Sequence, residues 1–173
     1  MQEDTKLHHP EKTLYWLLTA PMFLLYIGTA TAISRFGWLP LGVYLAFFPL
    51  VALGQSTACV EFECPYLNTF APCAAGFCLP AKWIARLYAD RKLPGWLFKI
   101  GITTAEAAFF GIILYPLVFL YRMGIPYLAA YLLAVLLYAG VFLLRICPSC
   151  AIRDVCPGGQ AGWQLQKWLG INT

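Results

Sequence analysis

The sequence predicts an all-α membrane protein of four transmembrane helices, arranged as two hairpins, with a cysteine-rich cytoplasmic cap and short interfacial helices. Three observations carry this prediction. Hydrophobic residues make up 61% of the 173 residues and charged residues only 12%, far outside the range of an ordinary soluble domain. The apolar residues are gathered into four long runs, and all seven cysteines follow the second or the fourth run. A chain of this length forms one domain, residues 1–173.

The four apolar runs each match the roughly 20 residues that a helix needs to cross a bilayer. They cover residues 14–33, 38–56, 100–121 and 125–144. The connections at 34–37 and 122–124 are too short to do more than reverse the chain, which predicts two hairpins. Three prolines lie inside the runs, where neighbouring helices can satisfy the carbonyl groups that they free. They are Pro21, Pro49 and Pro116.

The basic residues predict the orientation of the bundle. With four spans, both termini and the long segment between spans two and three share one side. That side holds ten of the twelve lysines and arginines, and the other side holds only Arg35 and Arg122. Short loops rich in lysine and arginine stay in the cytoplasm, so we expect both termini there. Residues 82–96 and 163–169 mix aromatic and basic residues at helical spacing, the pattern of helices that lie along a membrane surface.

Two segments, 57–80 and 145–160, hold all the cysteines. The first contains Cys59, Cys64, Cys73 and Cys78; the second contains Cys147, Cys150 and Cys156. Because the cytoplasm is reducing, a disulfide framework is not expected there, and the thiols are better interpreted as metal or cofactor ligands. Proline directly follows three of them, as it often does in ferredoxin-type cluster segments. No complete ferredoxin or zinc-ribbon pattern is present.

The sequence leaves the division of these ligands open. The first four cysteines complete one tetrahedral or cubane site, and the other three then need a ligand such as His8, His9 or Asp154. Alternatively, the two halves are a duplication, and both segments converge on one shared site between the ends of spans two and four. An iron-sulfur cluster, most simply 4Fe-4S, is the expected cofactor, with zinc as the alternative.

Glu106 is the one charged residue within the apolar runs. An acidic side chain inside a span usually marks a proton pathway or a binding site unless it is paired or reaches the headgroups. We therefore treat it as a candidate proton or quinone site, with Gln55 as a structural partner in the competing interpretation.

The expected function is membrane-anchored electron transfer at the cytoplasmic face by an iron-sulfur or metal centre. Its partners beyond the lipid bilayer would be a soluble electron donor, quinone, or other subunits of a membrane complex. The chain lacks a nucleotide-binding glycine motif, which favours a relay subunit, and its modest charge of +4 does not point to nucleic acid. The alternatives are a structural zinc site, a soft-metal transporter, and a quinone-linked thiol-disulfide oxidoreductase.

Overall fold

A computed structural model describes residues 12–64, 67, 78–88, 93–149, 154 and 157–171. Throughout this part of the chain the regular elements are helices, and no strand occurs. The α-helices are α1 Lys12–Ser34, α2 Trp38–Glu61, α3 Cys78–Arg86, α4 Gly95–Met123, α5 Ile125–Val141 and α6 Pro157–Trp168. A π-helical segment, Phe142–Ile146, and a 3-10 turn, Cys147–Ser149, follow α5 directly.

Three helices are long and apolar enough to cross a membrane: Trp38–Glu61, Gly95–Met123 and Ile125–Ile146. They coincide with the second, third and fourth predicted spans, so the described part of the chain is helical and the protein is a multi-pass membrane protein. The first predicted span falls on α1, whose apolar part Thr19–Ser34 is shorter. α2 and α4 extend beyond the predicted limits: α2 continues through Cys59, and α4 begins at Gly95 rather than at residue 100.

The main contact of the bundle is between α2 and α4, and small residues make it possible. The position where a Cβ atom of Gly54 would stand lies 2.6 Å from the Cβ of Ala105 and against the backbone of Gly101. Gly101 in turn faces the side chain of Thr57. Helices in lipid gain their packing energy from such close backbone approach, because burial of apolar surface gives no advantage there.

Tyrosine hydroxyls form hydrogen bonds with the backbone carbonyl groups freed by two of the three prolines. A proline has no N–H for the carbonyl four residues earlier, so Pro49 frees the carbonyl of Leu45 and Pro116 frees that of Ile112. The hydroxyl of Tyr26 on α1 donates to the Leu45 carbonyl at 3.4 Å. The hydroxyl of Tyr131 on α5 donates to the Ile112 carbonyl at 3.3 Å. The expectation that neighbouring helices satisfy these groups is thus confirmed at both positions.

Replacing Gly54 by alanine tests the α2–α4 contact. The added methyl group would collide with Ala105, and overpacking of this kind costs about 1–3 kcal/mol. We expect a lower melting temperature for Gly54→Ala in detergent. Gly42→Ala is the matched control on the same helix, because a Cβ there meets nothing within 4 Å; it should leave the melting temperature unchanged or raise it slightly. Equal melting temperatures for both variants would show that the close approach is absent.

Candidate functional site

The last turn of α2 ends in a motif that brings Cys59 and Cys64 together. The N–H of Cys64 donates to the Cys59 carbonyl at 3.0 Å, and the N–H of Glu63 donates to the Val60 carbonyl at 3.1 Å. Glu63 has a positive φ of 46°. These features define a Schellman motif, in which the residue after the left-handed position folds back on the last helical turn. The four-residue gap between the cysteines is the spacing that this helix end brings into contact.

The two thiols are buried and hydrogen-bonded to each other. Leu67 and Ala85 pack beside them. The guanidinium Nε of Arg86 on α3 donates to the Leu67 carbonyl at 2.9 Å, which ties the segment after α2 to α3. The thiol pair therefore lies in a small compartment between the end of α2 and one face of α3.

Lys82 projects into the same compartment and is only 2% exposed. Burial lowers the pKa of Lys82, and the negative charges of Cys64 and Cys59 oppose that shift. An ammonium group inside a protein is stable only beside an anion. A positive charge on Lys82 would stabilise a thiolate at either cysteine, and the thiolate is the form that binds metals and acts as a nucleophile.

Two hydroxyl groups lie next to the pair. The Ser56 hydroxyl donates to the Leu53 carbonyl at 2.6 Å, and a second hydrogen bond joins it to the hydroxyl of Tyr88. Because the Ser56 proton is already used, Tyr88 is the donor in this second bond. Burial raises the pKa of Tyr88, the bond to Ser56 lowers it, and the charge of Cys59 raises it further. Tyr88 is therefore close enough to Cys59 for a charge on that cysteine to change the pKa of Tyr88.

Cys147 occupies a second place in the fold. The π-helical segment leads directly into it, and its side chain is buried. The amide Nε2 of Gln166 on α6 donates to the Leu144 carbonyl at 2.7 Å, satisfying a backbone group of that segment. Gly162 of α6 lies against the Leu143 carbonyl and the Cβ of Cys147. A π-helical turn often marks a functional position, and here α6 fixes it.

The structure brings only part of the predicted ligand set together. Cys59 and Cys64 are in contact, and Cys78 is the first residue of α3, one helical turn before Lys82. Among the described residues, no contact joins α2 or α3 to the 3-10 turn of Cys147 or to α6. No three cysteine, histidine, aspartate or glutamate residues of the described segments approach closely enough to hold a metal ion.

Several predicted ligands cannot be compared with the structure. Cys73, Cys150, Cys156, His8 and His9 lie outside the described residues. Asp154 is described, exposed, and accepts a hydrogen bond from the Gln160 side chain on its own backbone carbonyl at 2.6 Å. Its proposed role as a ligand stays a prediction.

Glu106 does not pair with Gln55. The carboxylate is exposed, and within the described chain the buried Oε1 of Gln55 has no hydrogen-bond partner. Since α4 begins at Gly95, Glu106 lies about 16 Å along the helix axis from its start, further in than the predicted span placed it. A quinone or proton role for Glu106 remains a prediction.

Sequence reasoning missed Lys82, Ser56 and Tyr88 as members of the site. Residues 82–96 were expected to lie along the membrane surface. In the structure Lys82 shares the inward face of α3 with Ala81 and Ala85, while Trp83 and Leu87 are 65% and 82% exposed. The available signal was the pair of alanines, whose small side chains mark the face of α3 that packs against α2.

Comparisons with family models, with curated proteins and with solved structures found no match to this chain. The interpretation of the thiol pair therefore depends on its geometry alone.

Substitutions at Glu63 test the helix-end motif. Valine is strongly disfavoured at positive φ, at a cost of about 1–2 kcal/mol, so Glu63→Val should pull Cys64 away from Cys59. Glycine tolerates this conformation, and Glu63→Gly should preserve the pair. We expect the rate of oxidant-induced disulfide formation between Cys59 and Cys64, mapped by mass spectrometry, to fall severalfold only for valine.

Glu61→Val provides the control, since Glu61 is an exposed residue of the same helical turn. Identical disulfide rates in the two Glu63 variants would contradict the motif.

Proposed function

We propose that this chain is a membrane redox protein whose working group is a thiolate centre built on Cys59 and Cys64. The centre holds a metal, most simply an iron-sulfur cluster, and relays electrons at the membrane face. The single observation that supports this proposal is the burial of Lys82 against two thiols that are already in contact.

The charge of the centre favours a metal-bound form. Four thiolates around a Zn²⁺ ion or a 4Fe-4S core leave a net negative charge, which a buried ammonium group neutralises. If only two thiolates bound a divalent cation, the site would carry no net negative charge, and the ammonium group of Lys82 would oppose metal binding. Lys82 therefore fits a site in which more than two thiolates take part.

The first four cysteines are the simplest ligand set. Cys59 and Cys64 supply two thiolates, and α3 begins at Cys78, one turn before Lys82, whose charge interacts with both. Cys73 lies between these groups in the sequence. The place of Cys147 against α6, without contact to α2 or α3 in the described segments, favours a separate role for the second cysteine segment over one site shared by both.

The proposal includes a fourth span and a defined orientation. α1 is a helix of 23 residues, and it packs within the bundle: the ring of Tyr26 stacks on that of Tyr44, with centroids 4.9 Å apart, and the Tyr138 hydroxyl donates to the Sδ of Met22 at 3.4 Å. With α1 as a span, the four helices form two hairpins, and both cysteine segments form a cap on the lysine- and arginine-rich, cytoplasmic side.

A second candidate is a thiol-disulfide centre, favoured by the direct contact between the thiols of Cys59 and Cys64. In this case the two thiols lose two electrons and two protons and form a disulfide. A lipid-soluble quinone takes up both electrons and both protons and becomes a quinol. This reaction needs no third ligand, and it is the outcome to consider if the purified protein contains no metal.

Anaerobic purification followed by iron, sulfide and zinc analysis and visible absorption tests the proposal. We expect stoichiometric iron and sulfide in the unaltered chain and their loss in Cys59→Ser and Cys64→Ser. Cys147→Ser is the matched control, because Cys147 is also buried but lies against α6; it should retain the iron bound by the first segment. Lys82→Met should weaken cluster retention, whereas Lys99→Met, a change at an exposed lysine of α4, should not.

Three other results of the metal analysis would each contradict part of this proposal. A colourless protein that contains only zinc would exclude the redox function and leave a structural zinc site. Loss of iron in Cys147→Ser to the same extent as in Cys59→Ser would show that the two segments share one site. Metal-free protein that nevertheless forms a reversible Cys59–Cys64 disulfide would select the second candidate.

A further inference from the structure

A groove of about 610 Å³ lies between α2, α3 and the first turns of α4. Its walls are mainly apolar, and Leu53 of α2, Ile84 of α3 and Leu97 of α4 are among the residues that line it. Its volume is within the usual range for small-molecule sites, about 300–1,000 Å³. Leu53 and Ile100, at its edge, are exposed on helices that can cross a membrane. The groove therefore opens towards lipid.

Hydroxyl groups stand on opposite walls of this apolar groove. Tyr88 lies on the α3 side, bonded to Ser56, and Thr104 lies on the α4 side. The neighbouring Thr103 bonds back to the Lys99 carbonyl at 2.6 Å, but within the described segments the hydroxyl of Thr104 has no hydrogen bond. Because the Tyr88 proton is used in the bond to Ser56, the Thr104 hydroxyl is the donor that these walls offer to a ligand.

The groove and the thiol pair share one boundary. Ser56 lines the groove and lies one helical turn before Cys59 on α2, while Tyr88 lines the groove and senses the charge of Cys59. A molecule in the groove is therefore separated from the thiol pair by these two hydroxyl-bearing side chains.

We propose that this groove binds the ring of a lipid-soluble quinone, with one of its carbonyl oxygens accepting a hydrogen bond from Thr104. The inference rests on the proposed redox function and names its membrane partner. Three properties of the groove fit a quinone: a lateral opening for an apolar tail, apolar walls for a planar ring, and the Thr104 hydroxyl as donor to a carbonyl oxygen. It places the quinone site between α2, α3 and α4 rather than at Glu106.

A photoreactive quinone with a short isoprenoid tail tests this assignment. The full chain is reconstituted in nanodiscs, and saturable labelling is mapped by mass spectrometry. We expect labels on the groove walls. Ile84→Trp, which fills the groove, should abolish saturable labelling. Thr104→Val, which removes the hydrogen bond to the ring, should weaken the apparent affinity about 3- to 10-fold. Leu136→Trp is the control, because Leu136 is exposed on α5, away from the groove.

The outcomes separate this inference from the proposed function. Labelling that is unaffected by Ile84→Trp would overturn the inference, and so would full displacement of the probe by an equal excess of phospholipid, which would show that the groove holds an acyl chain. The oxidised probe needs no metal for binding, so labelling should persist in the Cys59→Ser/Cys64→Ser double variant. If the unaltered protein contains iron but shows no saturable labelling, only the quinone site is contradicted. If it is labelled but contains no iron, only the proposed cluster is contradicted.

Discussion

A charged lysine that is withdrawn from water needs an anion beside it, and in this chain that requirement links the helix ends on which the candidate site depends. Lys82 is fixed by α3, the thiols that it faces are fixed by the end of α2, and Arg86 ties the two together through the Leu67 carbonyl. If the thiols were neutral, the buried ammonium group would destabilise the contact between α2 and α3. The proposed negatively charged sulfur centre would therefore have both a chemical and a structural role.

The membrane determines how this site is built. In lipid, helices approach closely where side chains are small, and the glycines and alanines of α2 and α4 fix the position of the α2 terminus. Tyrosine hydroxyls satisfy the carbonyls freed by Pro49 and Pro116, so α2 and α4 remain continuous through their prolines. The last turn of α2 is consequently held at a constant place, and the Schellman motif places Cys64 against Cys59 there.

Much of the helical architecture could be predicted from the sequence, because the length of an apolar run directly reflects bilayer thickness. The limits of α2 and α4 could not, since the extra turns carry polar residues and are held by contacts with α3 and with each other. The Cys59–Cys64 spacing is unusual for a metal-binding motif but ordinary for a Schellman helix end. The sequence did not reveal this helix end, because glycine usually occupies the left-handed position and this chain has Glu63 there.

The inward orientation of Lys82 could not be predicted from the sequence. An amphipathic pattern shows that a helix has two faces, but it does not show which face packs against the rest of the protein. On α3 the large apolar side chains Trp83 and Leu87 are exposed and the lysine is buried, the reverse of the pattern expected in water.

The most direct test of the proposed centre is the rate at which a small amine-reactive reagent modifies each lysine of the intact protein in nanodiscs. We predict that Lys82 reacts far more slowly than Lys99 and Lys167, and that it becomes reactive once the thiols are alkylated and α3 loosens. Equal rates at Lys82 and Lys99 in the unmodified protein would contradict it.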